Sequence, residues 1–334
     1  MNNFEQLKLL GRGGYASVYL VQSFHFPHLY ALKRISKSKI VTKEQKTRFE
    51  AEKFILEGIT SPFLCRGFET FETKEEMAIV LEFIQGRTLH ECVWKYRDTG
   101  RLPENVARFF TAQLVLALGD LHAHGYIHRD LKSGNVLIGE DGFVKVIDFG
   151  LAKKVAGDEV KEDERTQSIC STHYIMAPEI MNQQPYGVTV DWWSLGVVIY
   201  EMVMGHPPWE YHCPQNSTID EYFRNIMHIA RSPFQSADAQ GLSNDLQSLI
   251  SGLLTLDFHK RLGAHGVTEV MRHAWLCDVD WKHLQTKDAS IAVPYDAQAD
   301  YNADRIYIHP TRNDGLSSAE SIGSEENAKY FADF

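Results

Sequence analysis

The chain has 334 residues, of which 44% are hydrophobic and 23% are charged, a balance typical of a globular protein with a sizeable core. Its formal net charge of −10 argues against general binding of nucleic acids. The most apolar run, 194–205, is too short to span a bilayer. The amino terminus lacks a signal-peptide or myristoylation pattern. The five cysteines are scattered without a Cys-x-x-Cys pair, which favours reduced thiols over zinc or disulfides. We therefore expect a soluble protein of the cytoplasm or nucleus, without a membrane partner.

The first 84 residues read as strands with one helix. Short runs at 7–10, 17–21 and 29–35 are rich in β-forming residues and are separated by glycine and proline, which predicts strands. Apolar residues recur among charges over 43–58, and Gly58 follows as a stop signal, which predicts a helix. Another apolar strand is predicted over 77–84. Gln85, Gly86 and Arg87 then break the pattern, so we place a domain boundary after residue 84.

The remainder reads as mainly helical. An amphipathic helix is predicted over 103–125 and a buried apolar helix over 191–204. Between them, 136–138 and 144–147 flank a hairpin turn signal at 140–142. From Cys277 the chain becomes polar and irregular, and 313–327 is rich in Ser, Glu and Gly. That composition predicts a tail on the surface or partly disordered. We therefore expect an α+β protein with a small β-rich domain (1–84), a larger helical domain (85–276) and a tail (277–334).

A glycine-rich segment, Gly-Arg-Gly-Gly-Tyr-Ala-Ser-Val, occupies 11–18 between two predicted strands. Glycines allow backbone N–H groups to approach phosphate oxygens closely. A plain hairpin and the start of a dinucleotide-binding unit are alternatives. The dinucleotide alternative needs a helix directly after the glycines, whereas 18–21 reads as a strand, so we disfavour it.

Lys33 ends a predicted strand, and Glu52 lies nineteen residues later on the predicted helix. A lone lysine is usually a solvated surface residue. Paired with a carboxylate, however, an ammonium group can be aimed at nucleotide phosphates. By itself this pair is only suggestive.

The run 128–135, His-Arg-Asp-Leu-Lys-Ser-Gly-Asn, is far more specific. Asp-Phe-Gly follows at 148–150 and Ala-Pro-Glu at 177–179. In this order the motifs resemble those of eukaryotic protein kinases. The resemblance implies a bilobal kinase fold and transfer of the γ-phosphate of ATP to protein substrates.

The resemblance also implies roles for individual residues. Asp130 would accept or orient the proton of the substrate hydroxyl, and Lys132, typical of serine/threonine kinases, would contact the transferring phosphate. Asn135 and Asp148 would hold two Mg²⁺ ions, and Thr172 would tie Asp130 to Lys132. The residues that match the nucleotide site, ending with the gatekeeper and hinge, are Gly11, Gly13, Gly14, Ala16, Val18, Ala31, Lys33, Glu52, Leu81, Glu82 and Ile84.

Further motifs narrow the resemblance to the AGC group, and within it to catalytic subunits of cyclic-AMP-dependent kinases. These motifs are the helix 52–56, the activation segment 165–172, and a hydrophobic motif formed by Phe331 and Phe334. Two structural features accompany them: a pair between Glu179 and Arg261, and Asp191 as the anchor of the catalytic loop.

The activation segment implies regulation. Ser168 falls at the AGC phosphorylation site, with Thr166 as a second candidate. A phosphate there would pair with cations and order the loop, and it implies an upstream activating kinase. The matching cations are Arg48, Arg129 and Lys153. Gln167 replaces an aromatic residue of the surface that docks a cyclic-nucleotide-binding regulatory subunit, so that partner stays an open alternative.

Substrate choice departs from the resemblance. Kinases of this type use acids to bind arginines upstream of the target, and Glu201 keeps one of them. Gly134 and Thr88 replace two others, although Glu91 lies close to Thr88 in sequence. We therefore predict a weakened preference for upstream arginine. The pocket for the residue after the target would be lined by Ile169, His173 and Met176.

Two alternatives remain open beside this interpretation. One is an AGC kinase that cyclic AMP does not control. The other, less favoured because the catalytic motifs are complete, is a pseudokinase that keeps the fold as a scaffold.

Overall fold

The structure is a computed structural model that describes residues 3–14, 16–96, 101–155, 173–209, 219–234 and 241–297. The described chain divides into two compact units. The smaller comprises 3–60 and 65–84, and the larger comprises 61–64 and 85–297. Each unit is described by itself below. Within the described residues, no helix is long and apolar enough to cross a membrane.

The smaller unit is one antiparallel sheet with a helix. The strands follow the spatial order β1-β2-β3-β5-β4, and the helix α1 begins with a reciprocal capping box between Thr42 and Gln45. Val21, Leu32, Ala78 and Val80 form the buried core of the sheet. The elements are β1 (Phe4–Arg12), β2 (Ala16–Ser23), β3 (Leu29–Ser36), α1 (Lys43–Gly58), β4 (Gly67–Glu72) and β5 (Glu76–Glu82).

The larger unit is mainly helical. Its centre is the apolar helix α5 (Thr189–Met204), which packs against α3 (Glu104–Ala123) and α7 (Asn244–Leu253). Two small sheets, β6-β8-β9 and β7-β10, flank the segments that carry the sequence motifs. The remaining elements are β6 (Gly86–Thr88), α2 (Leu89–Tyr96), β7 (Tyr126–Ile127), β8 (Val136–Gly139), β9 (Val144–Val146), β10 (Lys153–Lys154), α4 (Pro178–Met181), α6 (Ile219–Ile229), α8 (Val267–Met271) and α9 (Trp281–Gln285).

The α+β class is confirmed, and the helix predicted over 43–58 coincides with α1. Several elements were not predicted individually. They include β4, which starts at a glycine, α2, an eight-residue helix that directly follows β6, and the helices α6 and α7. The expectation of an irregular tail from Cys277 was wrong for its first part. There α9 forms, and Tyr295 is buried against Phe110, with ring centroids 5.5 Å apart. Its phenol also accepts a hydrogen bond from the Cys92 thiol.

Candidate active site

The glycine-rich segment forms a tight turn in the smaller unit. Gly11 pairs with Val18 across β1 and β2, and the Gly13 N–H donates to the Ala16 carbonyl at 2.8 Å. Gly14 precedes the next strand by two residues, and a Cβ added at Gly11 would meet no atom within 4 Å. Because β2 rather than a helix follows the glycines, the dinucleotide-binding alternative is excluded.

Lys33 stands among apolar residues on one face of the sheet. The register pairs Lys33 with Val18 and pairs Ala31 with Leu81, and cross-strand partners share a face. Its ammonium lies 2.5 Å from Glu52 Oε1 of α1, and the Glu52 side chain is only 4% exposed. The pair therefore fixes a positive charge on a surface that is otherwise apolar.

The hinge residues lie at the end of β5. The Glu82 N–H donates to the Arg66 carbonyl at 2.9 Å, and Glu82 Oε1 accepts from the Arg66 N–H at 2.7 Å. These two bonds fix the backbone just before Ile84, the last described residue of the smaller unit.

The catalytic loop of the larger unit is anchored by a buried carboxylate. Asp191 accepts the backbone N–H groups of His128 at 2.9 Å and Arg129 at 2.8 Å, and His122 Nε2 lies 2.7 Å from Asp191 Oδ2. Burial raises the pKa of Asp191, but the bond to His122 and the other hydrogen bonds outweigh this and lower it. Asp191 thus stays ionised and holds the loop.

Asp130 and its neighbours are held in a defined geometry. Asn135 Nδ2 donates to the Asp130 carbonyl at 2.9 Å and to Asp130 Oδ2 at 3.0 Å. The Lys132 ammonium lies 3.6 Å from the same Oδ2. Burial raises the pKa of Asp130, and Lys132 opposes that shift. A carboxylate with a raised pKa is a better acceptor for a proton.

Two buried oxygens of this site have no hydrogen-bond partner within the described chain: Asp130 Oδ1 and Asn135 Oδ1. Buried polar atoms normally have partners, so both oxygens fit a role toward a bound group. The residue before Asp148 is bonded to Asn135, because the Ile147 N–H donates to the Asn135 carbonyl at 3.0 Å. An amide and a carboxylate oxygen are donors that suit Mg²⁺. Among described residues no cluster of three His, Cys, Asp or Glu could hold a metal.

Glu179 and Arg261 form a buried ion pair. Arg261 donates from Nη1 to Glu179 Oε1 at 2.5 Å and from Nη2 to Glu179 Oε2 at 2.9 Å. The guanidinium also donates to the carbonyls of Thr255 and Thr189 and lies over the Trp193 ring. This complete set of partners offsets the cost of burying both charges.

The residues proposed for substrate contact fall in the larger unit. Glu201 lies near the end of α5 and is buried, and Met176 is buried beside α4. His173 begins a short 3₁₀ turn. Glu91 caps the start of α2, because its Oε2 accepts from the N–H and the hydroxyl of Thr88, the last residue of β6.

Sequence reasoning missed two residues beside Glu201. The Ser133 hydroxyl donates to Glu201 Oε1 at 2.7 Å, and His90 Nδ1 lies 3.1 Å from the same oxygen. His90 and Glu201 are 111 residues apart, so no local motif could have joined them.

The cations matched to the activation site occur in both units. In the larger unit Arg129 donates to the Leu151 carbonyl at 2.6 Å and to the Tyr186 hydroxyl at 3.1 Å, and Lys153 belongs to β10. In the smaller unit Arg48 donates to Glu44 one turn earlier on α1. The predicted residues that lie outside the described chain are Thr166, Gln167, Ser168, Ile169, Thr172, Phe331 and Phe334.

An antiparallel sheet with a lysine–glutamate pair, and a helical unit with an anchored His-Arg-Asp loop, define the protein kinase class. In agreement, residues 4–276 match the family model described as "Protein kinase domain". The chain belongs to the protein kinase family, in the AGC group of serine/threonine kinases. ATP is therefore its phosphate donor, used with a divalent metal ion, and proteins are its substrates.

Curated relatives span several branches. A probable serine/threonine-protein kinase of Dictyostelium discoideum is 33% identical over 337 residues, covering 100% of this chain and 70% of the relative. The serine/threonine-protein kinase AtPK2/AtPK19 of Arabidopsis thaliana is 33% identical, covering 100% and 68%. The cAMP-dependent protein kinase type 3 of Saccharomyces cerevisiae is 34% identical, covering 89% and 69%.

Proposed function

We propose that this serine/threonine kinase uses Asp130 to accept or orient the proton of the substrate hydroxyl. The observation that carries the proposal is the buried Asp130 Oδ1, which has no hydrogen-bond partner among the described residues. The other oxygen is held by Asn135 and lies near Lys132. The carboxylate is thus fixed in orientation with one acceptor left for a hydroxyl.

The positive and oxygen-donor groups have separate tasks in this proposal. Lys33, held by Glu52, binds phosphate oxygens of ATP, and Lys132 contacts the phosphate as it moves to the hydroxyl. Asn135 and Asp148 hold two Mg²⁺ ions. When bound, magnesium neutralises negative charge on the phosphates.

Transfer of label from γ-labelled ATP to a protein mixture tests this function. We expect label on serine and threonine, and we expect Asn135→Leu to raise the Mg²⁺ concentration needed for ATP binding, measured by titration without a protein substrate. ATP binding without any transfer would instead support the scaffold alternative.

We further propose that the chain resembles cyclic-AMP-dependent kinases in regulation. The yeast relative supports this branch, and phosphorylation of Ser168 by an upstream kinase would activate the loop. A second candidate is an AGC kinase without cyclic-AMP control. It is favoured by Gln167, which replaces the docking aromatic residue, and by equally similar relatives whose names do not mention cyclic AMP.

Binding to a purified cyclic-nucleotide-binding regulatory subunit separates the two candidates. The first predicts a complex that cyclic AMP dissociates, and the second predicts no complex. If Gln167 is the obstacle, Gln167→Trp should strengthen the complex.

A further inference from the structure

Two side chains from different elements, Ser133 and His90, meet at Glu201 of α5. The Ser133 hydroxyl, from the 3₁₀ turn after Lys132, donates to Glu201 Oε1 at 2.7 Å. His90 Nδ1, from α2, lies 3.1 Å from the same oxygen and 3.4 Å from the Ser133 hydroxyl oxygen. One carboxylate oxygen is therefore shared by two neighbours.

The second oxygen, Glu201 Oε2, is buried and has no hydrogen-bond partner in the described part of the chain. The Glu201 side chain is only 4% exposed. A buried carboxylate with one unsatisfied oxygen is costly, and a cationic side chain that reached it would remove that cost. Glu201 thus presents a built site for a basic group.

We propose that His90 is a specificity-determining residue that competes with a basic substrate side chain for Glu201. This inference rests on the proposed function and on the expectation, from the kinase resemblance, that Glu201 binds a basic side chain of the peptide substrate. A protonated His90 forms an ion pair with Glu201 and cancels its negative charge. A neutral His90 can still donate from Nδ1, but it does not neutralise the Glu201 carboxylate. The carboxylate can then form an ion pair with an arginine or lysine of the substrate.

His90 is placed to titrate in this way. Its side chain is 40% exposed, so it exchanges protons with solvent. Its helix packs against the 3₁₀ turn, β6 and β8. Among the described residues, the titratable or charged groups on these elements, on α2 and at the contacts given above are Glu201, Arg87, Glu91, Cys92, Lys95, Tyr96 and Tyr295. Histidine is the side chain that ordinarily changes charge between about pH 6 and 8.

The test compares two peptides that differ only in one upstream residue, arginine or alanine. To choose the position, arginine is placed in turn at each upstream position of the peptide at about pH 8. The position used is the one at which the unmodified chain prefers arginine and the Glu201→Gln variant does not. That variant keeps an oxygen to accept from Ser133 but removes the charge. The ratio of kcat/KM for the two peptides is then measured between about pH 6 and 8. Because it is a ratio, titration of Asp130 affects both peptides and cancels.

For the unmodified chain we expect the ratio to rise about fivefold with pH. This is the change expected when the arginine of the peptide replaces protonated His90 as the ionic partner of Glu201. His90→Gln should give a high ratio that does not depend on pH. His283→Gln is the matched control, because His283 also pairs with a carboxylate, Asp280, at 2.6 Å. That variant should keep the original profile.

The outcomes separate the two levels of the proposal. Absence of phosphate transfer to either peptide would reject the proposed function itself. An active enzyme whose ratio is independent of pH, or in which no position shows a preference that depends on Glu201, would overturn the role of His90 alone. A His90→Gln profile that still rises with pH would overturn it too.

Discussion

Asp191 holds the backbone N–H of Arg129 at 2.8 Å, and Arg129 has the left-handed φ of 69°. For a residue other than glycine this conformation costs on the order of 1 kcal/mol or more. Hydrogen bonds of the loop offset this cost. Asp191 accepts two of them, from the backbone N–H groups of His128 and Arg129. The shape of the catalytic loop therefore depends on a carboxylate from α5.

Asp191→Ala should weaken both the fold and the reaction. It leaves the donors of His122, His128 and Arg129 without their acceptor, so we expect the free energy of unfolding to fall by about 3 kcal/mol or more. Urea unfolding measures this. Asp245→Ala is the control, because Asp245 also lies in the first turn of a helix but is exposed. It should cost at most about 1 kcal/mol, and equal losses in the two variants would contradict the anchoring role.

Lys33→Met should lower kcat/KM by about 10²–10³, the range seen when one preorganised charge is removed from an active site. Steady-state peptide phosphorylation measures this. The matched control is Lys37→Met, because Lys37 also pairs with a glutamate, Glu72, at 2.6 Å, but that glutamate is 66% exposed. An exposed pair contributes little, so Lys37→Met should leave kcat/KM within about twofold. Similar losses in both variants would reject a specific role for Lys33.

Arg261→Met should destabilise the larger unit by about 3–5 kcal/mol, because it leaves the Glu179 carboxylate buried without its partner. Adding Glu179→Gln should restore part of that loss. Lys260→Met, at the neighbouring position, removes an exposed pair with Asp257 and should change the free energy of unfolding by less than about 1 kcal/mol. Denaturant unfolding of the unmodified chain, Arg261→Met, the double variant and Lys260→Met measures these differences in stability. An Arg261→Met chain as stable as Lys260→Met would refute the prediction.

Sequence patterns predicted features that arise from short spacing or from ordered motifs. The helix 43–58 followed from local periodicity and a terminal glycine, and Asp130 and Asp148 were singled out by motif order. The contacts of His90 and Ser133 with Glu201 were not predicted, because three distant segments meet there only in the folded chain. The burial of Tyr295 was missed for a similar reason. Its partners Phe110 and Cys92 lie far from it along the chain and come together with it only in the folded protein.

The raised pKa of Asp130 has a consequence for stability. Since burial raises this pKa above its value in the unfolded chain, the group favours folding below the unfolded value, and that contribution is lost as the pH rises through the folded value. At neutral pH the ionised Asp130 therefore destabilises the fold. We expect Asp130→Asn to raise the urea midpoint at pH 7, and to lose this advantage as the pH falls toward about 4. A lower midpoint at pH 7 would contradict this.

The action of Asp130 on the substrate hydroxyl is tested by the rate of phosphate transfer from Mg-ATP to a serine peptide by Asp130→Asn, with ATP affinity measured alongside. We expect ATP to bind as in the unmodified chain while kcat falls by about 10²–10⁴, the usual contribution of a positioned acid–base group. A kcat within about twofold of the unmodified chain would contradict it.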